Sequence, residues 1–413
     1  MTTFLSEQPS QSNDHLPPLP PPALTRRIKR HVVGEAHLFF AICAPGMESI
    51  CADELLELGM DRENLRILPG GVEFTGRLPD CFLFHLHSRI ATRILMRIGE
   101  FKATGFAALE KKGAEIPWEL FIYPGFTVEI SVTAKQSRLN HTGAIAERIE
   151  RGVFTRLGSS RNREHALFSQ RIFVRAVEDR FTLSLDASGE PLYKRGLKTH
   201  GGSAPLRETS AAAILRIAGY RPDLTLLDPM CGSGTFSLEA ALMARNIPPG
   251  WFRAFAFMGW PAFREQQWAY LRRKAQAQVF DGKTAPIMAS DISISACRRL
   301  TECLSTHDLL NMVQVRPMDF FDMSPATLPG MGENNGPGVI VLNPPYGRRL
   351  GSIQESAALL GKIGQKLKAD FKGWRFALLS PVAAVDRRFP LPFTPRPFHH
   401  GGLTLTLMTG KIK

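Results

Sequence analysis

The chain has 413 residues, with 51 Lys+Arg against 38 Asp+Glu, a net charge of +13 and 44% hydrophobic residues. That length predicts two or three domains with sizeable cores, and the composition excludes a disordered polymer. The positive balance points to a polyanion or an anionic surface without identifying one. It is uneven: residues 1–134 carry 13 basic against 16 acidic side chains, residues 135–203 carry 13 against 7, and residues 204–413 carry 25 against 15. Six cysteines (Cys43, Cys51, Cys81, Cys231, Cys297, Cys303) include no C-x-x-C pair. Free buried thiols in a reducing compartment are expected, with no metal site and no disulfide framework. No apolar run approaches the roughly 18 residues of a membrane span. The start lacks the apolar core of a signal peptide, so the expected location is cytoplasmic, away from membranes.

Residues 1–34 read as a disordered, Pro-rich tail. Leu16–Pro22 is polyproline-like, and Arg26-Arg-Ile-Lys-Arg30 could touch phosphate but reads first as a solvated arm. A ferredoxin-like part is expected over 35–71, with a strand at 37–43, a helix at 46–58 and strand segments around the turn at Pro69-Gly-Gly71. Asp80 is the expected N-cap of a helix running to Ile98, with Leu83, Ile90, Ile94 and Ile98 turned inward. Phe126–Ala134 alternates as a strand. A helix follows to Leu157, with the stripe Ile145, Ile149, Val153, Leu157 backed by Arg148, Arg151 and Arg156. Arg161, Arg163, Arg171 and Arg175 extend the excess beyond the helix, which favours an RNA-facing surface.

After a strand at 181–185 the pattern changes. A helix over 210–218 precedes strand candidates at 224–228, 287–291, 313–319, 339–343 and 376–380, which alternate with helices; 403–408 is a last strand candidate. Such alternation predicts a parallel, doubly wound α/β sheet. Leu226-Leu-Asp-Pro-Met-Cys-Gly-Ser-Gly-Thr235 ends one strand and opens a helix. Gly232 and Gly234 allow close backbone approach to a ligand at the helix start. Ser237 stands where a dinucleotide fold wants a third glycine. Asp228 at the strand tip repels phosphate and attracts an amine. Asp291, on the next strand, can accept from two ribose hydroxyls. Asp319 can accept from an adenine amine, with Phe320 against the ring. A nucleoside with a cationic amino-acid tail fits this set, and S-adenosylmethionine is such a molecule.

Val339-Ile-Val-Leu342 is a buried strand stopped by Asn343-Pro344-Pro345-Tyr346. Two successive prolines cannot continue a ladder, so the chain leaves at the carboxyl edge of the sheet, where open α/β sheets bind ligands. The Asn343 side-chain oxygen and the Pro344 carbonyl can accept from an exocyclic amine, and Tyr346 can stack on its ring.

These motifs are similar to those of THUMP-domain class I methyltransferases that modify guanine N2 in RNA. The chain most resembles the N-terminal half of the bifunctional bacterial 23S rRNA enzymes, from about residue 37 onward. Asp228-Pro-Met-Cys-Gly-Ser-Gly-Thr235 and Asn343-Pro-Pro-Tyr-Gly347 carry the likeness. So do Ala204-Pro-Leu-Arg-Glu208 and an insertion at 248–270 with Pro248-Pro-Gly250 and Gly259-Trp260. The resemblance implies a THUMP RNA-binding region at 72–190 and a Rossmann-like methyltransferase domain at 191–413. It implies S-adenosylmethionine along Pro205, Arg207, Glu208, Thr209, Asp228, Pro229, Cys231, Gly232, Gly234, Thr235, Asp291, Ile292, Asp319 and Phe320. Asn343, Pro344, Pro345 and Tyr346 would form the catalytic motif. Methyl transfer to guanine N2 of 23S rRNA, as the base is flipped from its strand, is the expected reaction. The second, 7-methylguanine activity of those enzymes is not expected. A tRNA guanine-N2 enzyme, a DNA adenine-N6 or protein glutamine methyltransferase and a non-enzymatic RNA-binding assembly factor are the alternatives.

Overall fold

The computed structural model describes residues 20–158, 169–198, 206–327, 336–345, 353–381, 389–400 and 403–413. They build two seven-stranded sheets, one after the other along the chain. The first comprises β1 (His37–Ile42), β2 (Leu65–Leu68), β3 (Gly71–Gly76), β4 (Arg93–Lys102), β5 (Thr127–Lys135), β6 (Ser169–Val177) and β7 (Arg180–Asp186), in the order β2-β3-β1-β4-β7-β6-β5. Its helices are α1 (Pro22–Ile28), α2 (Glu48–Glu57), α3 (Leu78–His87), α4 (Phe106–Glu115) and α5 (Thr142–Leu157). Alternation sorts the sheet's faces: Phe39, Val72, Phe74, Ile94, Met96, Ile172, Val174, Leu183 and Leu185 are buried against one another and the helices.

Two readings of this half are corrected. The tail does not extend to residue 34: α1 runs into a π-helical turn at Lys29–Val33, and Ile28 and Val32 are each 1% exposed. Residues 1–19 lie outside the described part. The helix from Asp80 to Ile98 is two elements. α3 stops at Ser88, whose hydroxyl donates to the buried Glu54 carboxylate at 2.6 Å. The chain then becomes β4, clamped between β1 and β7. Asp80 sits inside α3 and accepts from the Arg77 N–H at 2.7 Å, rather than capping from outside. The arginines read as an RNA face largely have partners: Arg148 with Glu110, Arg151 with Glu147, Arg156 with Glu119 and Arg171 with Glu129. Arg161 and Arg163 lie outside the described residues.

The second sheet comprises β8 (Leu226–Asp228), β9 (Ile287–Asp291), β10 (Val313–Pro317), β11 (Val339–Leu342), β12 (Arg375–Ser380), β13 (Thr394–His400) and β14 (Leu403–Lys411). Its order is β10-β9-β8-β11-β12-β14-β13; all of these strands run parallel except β14, which is antiparallel to both β12 and β13. The associated helices are α6 (Glu208–Ile217), α7 (Thr235–Ala244), α8 (Glu265–Gln276), α9 (Ile294–Thr306) and α10 (Ile353–Asp370). This is a doubly wound Rossmann-like sheet. β8 to β10 run one way across it and β11 the other, so the switch point lies between β8 and β11, at the strands' carboxyl ends. All four residues of β11 are buried, as a strand covered on both faces requires. β13, with Pro395 and Pro397, is an edge strand, the place in a sheet that tolerates proline.

The 248–270 insertion clasps the two halves. Phe257 stacks on Phe82 of α3 at 4.4 Å, and its N–H donates to the Ala187 carbonyl at 3.1 Å. The Trp260 indole donates to Gln170 of β6 at 2.8 Å. Gly250 lies so close to α3 that a Cβ would come within 2.4 Å of the His85 carbonyl. Beside it, Arg195 donates to Glu239 of α7 at 3.0 Å and to the Arg89 carbonyl at 2.8 Å, all in the interior.

Candidate active site

The loop after β8 turns on two glycines with positive φ, Gly232 at +51° and Gly234 at +70°. At Gly234 a Cβ would also fall 2.3 Å from Leu300 of α9, so both conformation and space require glycine. α7 begins immediately afterwards. Between this loop, the ends of β9 and β10, and the end of β11 lies a cavity of about 990 Å³. That is at the upper end of the range for small-molecule sites.

Of the expected residues, Pro229, Cys231, Gly232, Thr235, Asp291, Ile292, Asp319, Phe320, Asn343 and Pro345 line this one cavity. Asp228, Gly234, Pro344, Arg207, Glu208 and Thr209 are not among its lining residues. Pro205 and Tyr346 lie outside the described residues. Phe320 is only 1% exposed and packs on Phe371 at 6.0 Å, so its ring belongs chiefly to the core; Phe321 is the more open ring on the wall.

The polar groups converge. Asp291 receives the Gly232 N–H on one oxygen and the Ser293 N–H on the other, each at 2.9 Å, which fixes the carboxylate and leaves each oxygen a free lone pair. Asp319 caps the 3₁₀ turn at Phe320–Asp322 by accepting from the Phe321 N–H at 3.0 Å. Asp228 is 1% exposed; one oxygen accepts from Ser237 at 2.8 Å, and the other is buried without a partner among the described residues. Burial pushes its carboxyl up to about 7, reinforced by the Asp291 charge and opposed by Ser237 and Lys198. The Asn343 side-chain oxygen is likewise buried on the wall, with no partner among the described residues. An unsatisfied buried acceptor costs about 1–3 kcal/mol, so both are held ready for a donor.

Lys198 was not anticipated. Its ammonium lines the cavity, donates to Thr235 Oγ1 at 2.7 Å and lies 3.2 Å from Glu208. A lone lysine among the charges of 194–198 carries no sequence signal for this; the fold alone sets it over the α7 N-terminus. Burial raises the Cys231 thiol well above its ordinary range, which keeps it protonated and non-nucleophilic.

The site therefore offers carboxylates at three successive strand ends, the Lys198 ammonium, and an amide oxygen beside a rigid proline pair. That donor set fits a nucleoside carrying an ammonium and a carboxylate. Among the described residues no cluster of metal-ligating side chains occurs, and no helix is long and apolar enough to cross a membrane.

A doubly wound sheet with a switch-point cavity is an architecture that class I methyltransferases share. Residues 195–389 match the family model described as the RMKL-like methyltransferase domain, and residues 38–95 match the RlmL ferredoxin-like domain. A Synechocystis sp. PCC 6803 protein, named as a candidate RNA methyltransferase, is 32% identical over 90% of this chain and 95% of its own. The chain belongs to the RMKL-like methyltransferase family, and its cofactor is S-adenosylmethionine. The Ribosomal RNA large subunit methyltransferase K/L of Syntrophotalea carbinolica is 34% identical over 83% of this chain and 49% of its own length. The chain thus spans about half the length of such K/L relatives. Among solved structures, SMU.472, a candidate methyltransferase complexed with SAH, superposes with a TM-score of 0.81. It is 26% identical, over 92% of this chain and 99% of that one. A Listeria monocytogenes protein named as an N6-adenine-specific DNA methylase gives a TM-score of 0.80 and 27% identity, over 92% and 97%.

Proposed function

We propose that the protein methylates the exocyclic N2 of a guanosine in RNA, with large-subunit ribosomal RNA as its substrate, in the cytoplasm. The observation that carries this is the Asn343 oxygen at the end of β11, buried on the wall of the cavity and without a partner among the described residues. An amine nitrogen becomes tetrahedral as it attacks, and acceptors placed for that form stabilise the transition state above the ground state. Asn343 and the Pro344 carbonyl are assigned that task, Pro345 holds the turn rigid, and Tyr346 stacks on the base. S-adenosylmethionine, when bound, supplies the electrophilic methyl. Asp228 faces its amine, Asp291 its ribose and Asp319 its adenine, with Lys198 toward its carboxylate; Arg207, Glu208 and Thr209 line its approach. The residues from 72 to 190 serve as a THUMP-type RNA module, and positioning supplies most of the rate.

The choice of RNA is supported by the K/L names of relatives that share 83% of this chain. The Listeria structure's name favours a second reading, DNA adenine-N6 methylation. Labelled cofactor offered to large-subunit rRNA, tRNA and duplex DNA in parallel separates them: label in rRNA supports the proposal, and label confined to DNA overturns it.

A further inference from the structure

The helix of Pro22–Val33 precedes both stretches that match family models and takes no part in the cavity. α1 passes without a break into its π-helical turn, where the Gly34 N–H donates to the Lys29 carbonyl at 3.0 Å. π turns inside helices recur at functional places. Helical spacing puts Leu24, Ile28 and Val32 on one side and Arg26, Lys29 and Arg30 on the opposite side. The inner side is fixed in the core through Ile28 and Val32. On the flank, Arg27 donates to Glu119 at 2.9 Å, and Glu119 also accepts twice from Arg156 of α5. These guanidiniums, Arg156 foremost, hold the Glu119 carboxyl at about 2, so the pin persists through neutral pH. The His37 ring meets the Val32 carbonyl at 2.7 Å and fastens the other end.

The outer side has no such attachments. Arg26, Lys29 and Arg30 are exposed, and among the described residues none of the three has a carboxylate partner. The α5 arginines Arg148, Arg151 and Arg156 are each paired, so this cluster differs from the basic face beside it. Ordering the segment costs conformational entropy, and the three cations repel one another at close quarters. An anion between them would turn that repulsion into attraction.

We propose that this pinned helix is a phosphate clamp for the RNA that the catalytic half modifies, with Arg26, Lys29 and Arg30 as its contacts. The proposal rests on the RNA reading above. Four residues of helix span about 6 Å, within reach of two neighbouring phosphates of one strand. Such contacts fix where RNA lies without reading its bases.

The test is the full-length variant Arg26→Ala/Lys29→Ala/Arg30→Ala, titrated with large-subunit rRNA at increasing salt. Each phosphate contact contributes about 0.7 to the slope of log K against log salt for single strands, so the slope falls by about 2 and affinity falls at least tenfold near physiological salt. KM for RNA rises accordingly while kcat at saturating RNA holds within about twofold. Cofactor affinity and Tm stay as in the wild type, because the three side chains are exposed and have no ion-pair partner among the described residues; the charge-retaining Arg26→Lys/Arg30→Lys variant keeps most of the salt slope. An unchanged slope and affinity in the triple variant overturns the clamp. So does lost binding to phosphatidylserine vesicles with RNA binding intact, which assigns the helix to a membrane surface. If the wild type itself neither binds nor methylates RNA, the earlier reading fails and takes the clamp with it.

Discussion

Asp228→Asn isolates the buried carboxyl at the end of β8. The carboxyl is 1% exposed, has one oxygen without a partner among the described residues, and is pushed up to about 7 from 3.8. The folded state therefore holds a proton that the unfolded chain releases between those two values. Stability falls as pH rises through this window, by about 1.4 kcal/mol per pH unit. Between pH 5 and pH 7 the wild type loses about 2–3 kcal/mol through this group, and the loss levels off above pH 7. Asparagine keeps the shape and cannot ionise. Urea unfolding of both proteins from pH 4 to pH 8 makes the comparison, because other titrating groups cancel in the difference. The Asn variant gains on the wild type with rising pH, and saturating S-adenosylmethionine, by placing a cation against Asp228, flattens the trend in the wild type alone. A wild-type-minus-variant difference that stays flat from pH 4 to pH 8 refutes the reasoning.

Asn343→Ala lowers single-turnover methyl transfer about 10²–10³-fold, the usual cost of removing one transition-state hydrogen-bonding group, while calorimetry finds cofactor affinity little changed. Glu239→Ala leaves Arg195 buried without its partner and costs about 3–5 kcal/mol in urea unfolding; a loss under about 1 kcal/mol contradicts the pairing. Phe257→Ala empties the stack on Phe82 that fastens the two halves and costs about 3–5 kcal/mol in the same assay. Replacing the target guanosine by inosine, which lacks the 2-amino group, abolishes transfer without preventing RNA binding.

Much of the catalytic half was legible because its signals are local. An apolar run stopped by two prolines marks β11, and a glycine loop between strand and helix marks β8 and α7. Strand ends carrying Asp228, Asp291 and Asp319 converge simply because parallel strands place their carboxyl ends along one edge. The misread segments depend on distant partners. Ile90, Ile94 and Ile98 suit a helix by spacing, yet β4 forms because Arg93 finds Asp186 and the strand fills the gap between β1 and β7. Arg171 and Arg175 drew attention as charge, while Ile172, Val174 and Ala176 alternating between them form β6. The N-terminal helix was hidden by the prolines before it, although Leu24, Ile28 and Val32 have helical spacing. Lys198 has no motif, and its place at the cavity follows only from packing against Thr235 and Glu208.

The most direct test of the central claim is mass-spectrometric identification of the nucleoside that receives a labelled methyl group. Large-subunit rRNA from cells lacking this protein is incubated with the enzyme and labelled S-adenosylmethionine, then digested to nucleosides. The account predicts label in N2-methylguanosine, absent when Asn343→Ala replaces the wild type. Label in N6-methyladenosine, or none in RNA from an enzyme that binds its cofactor, would contradict it.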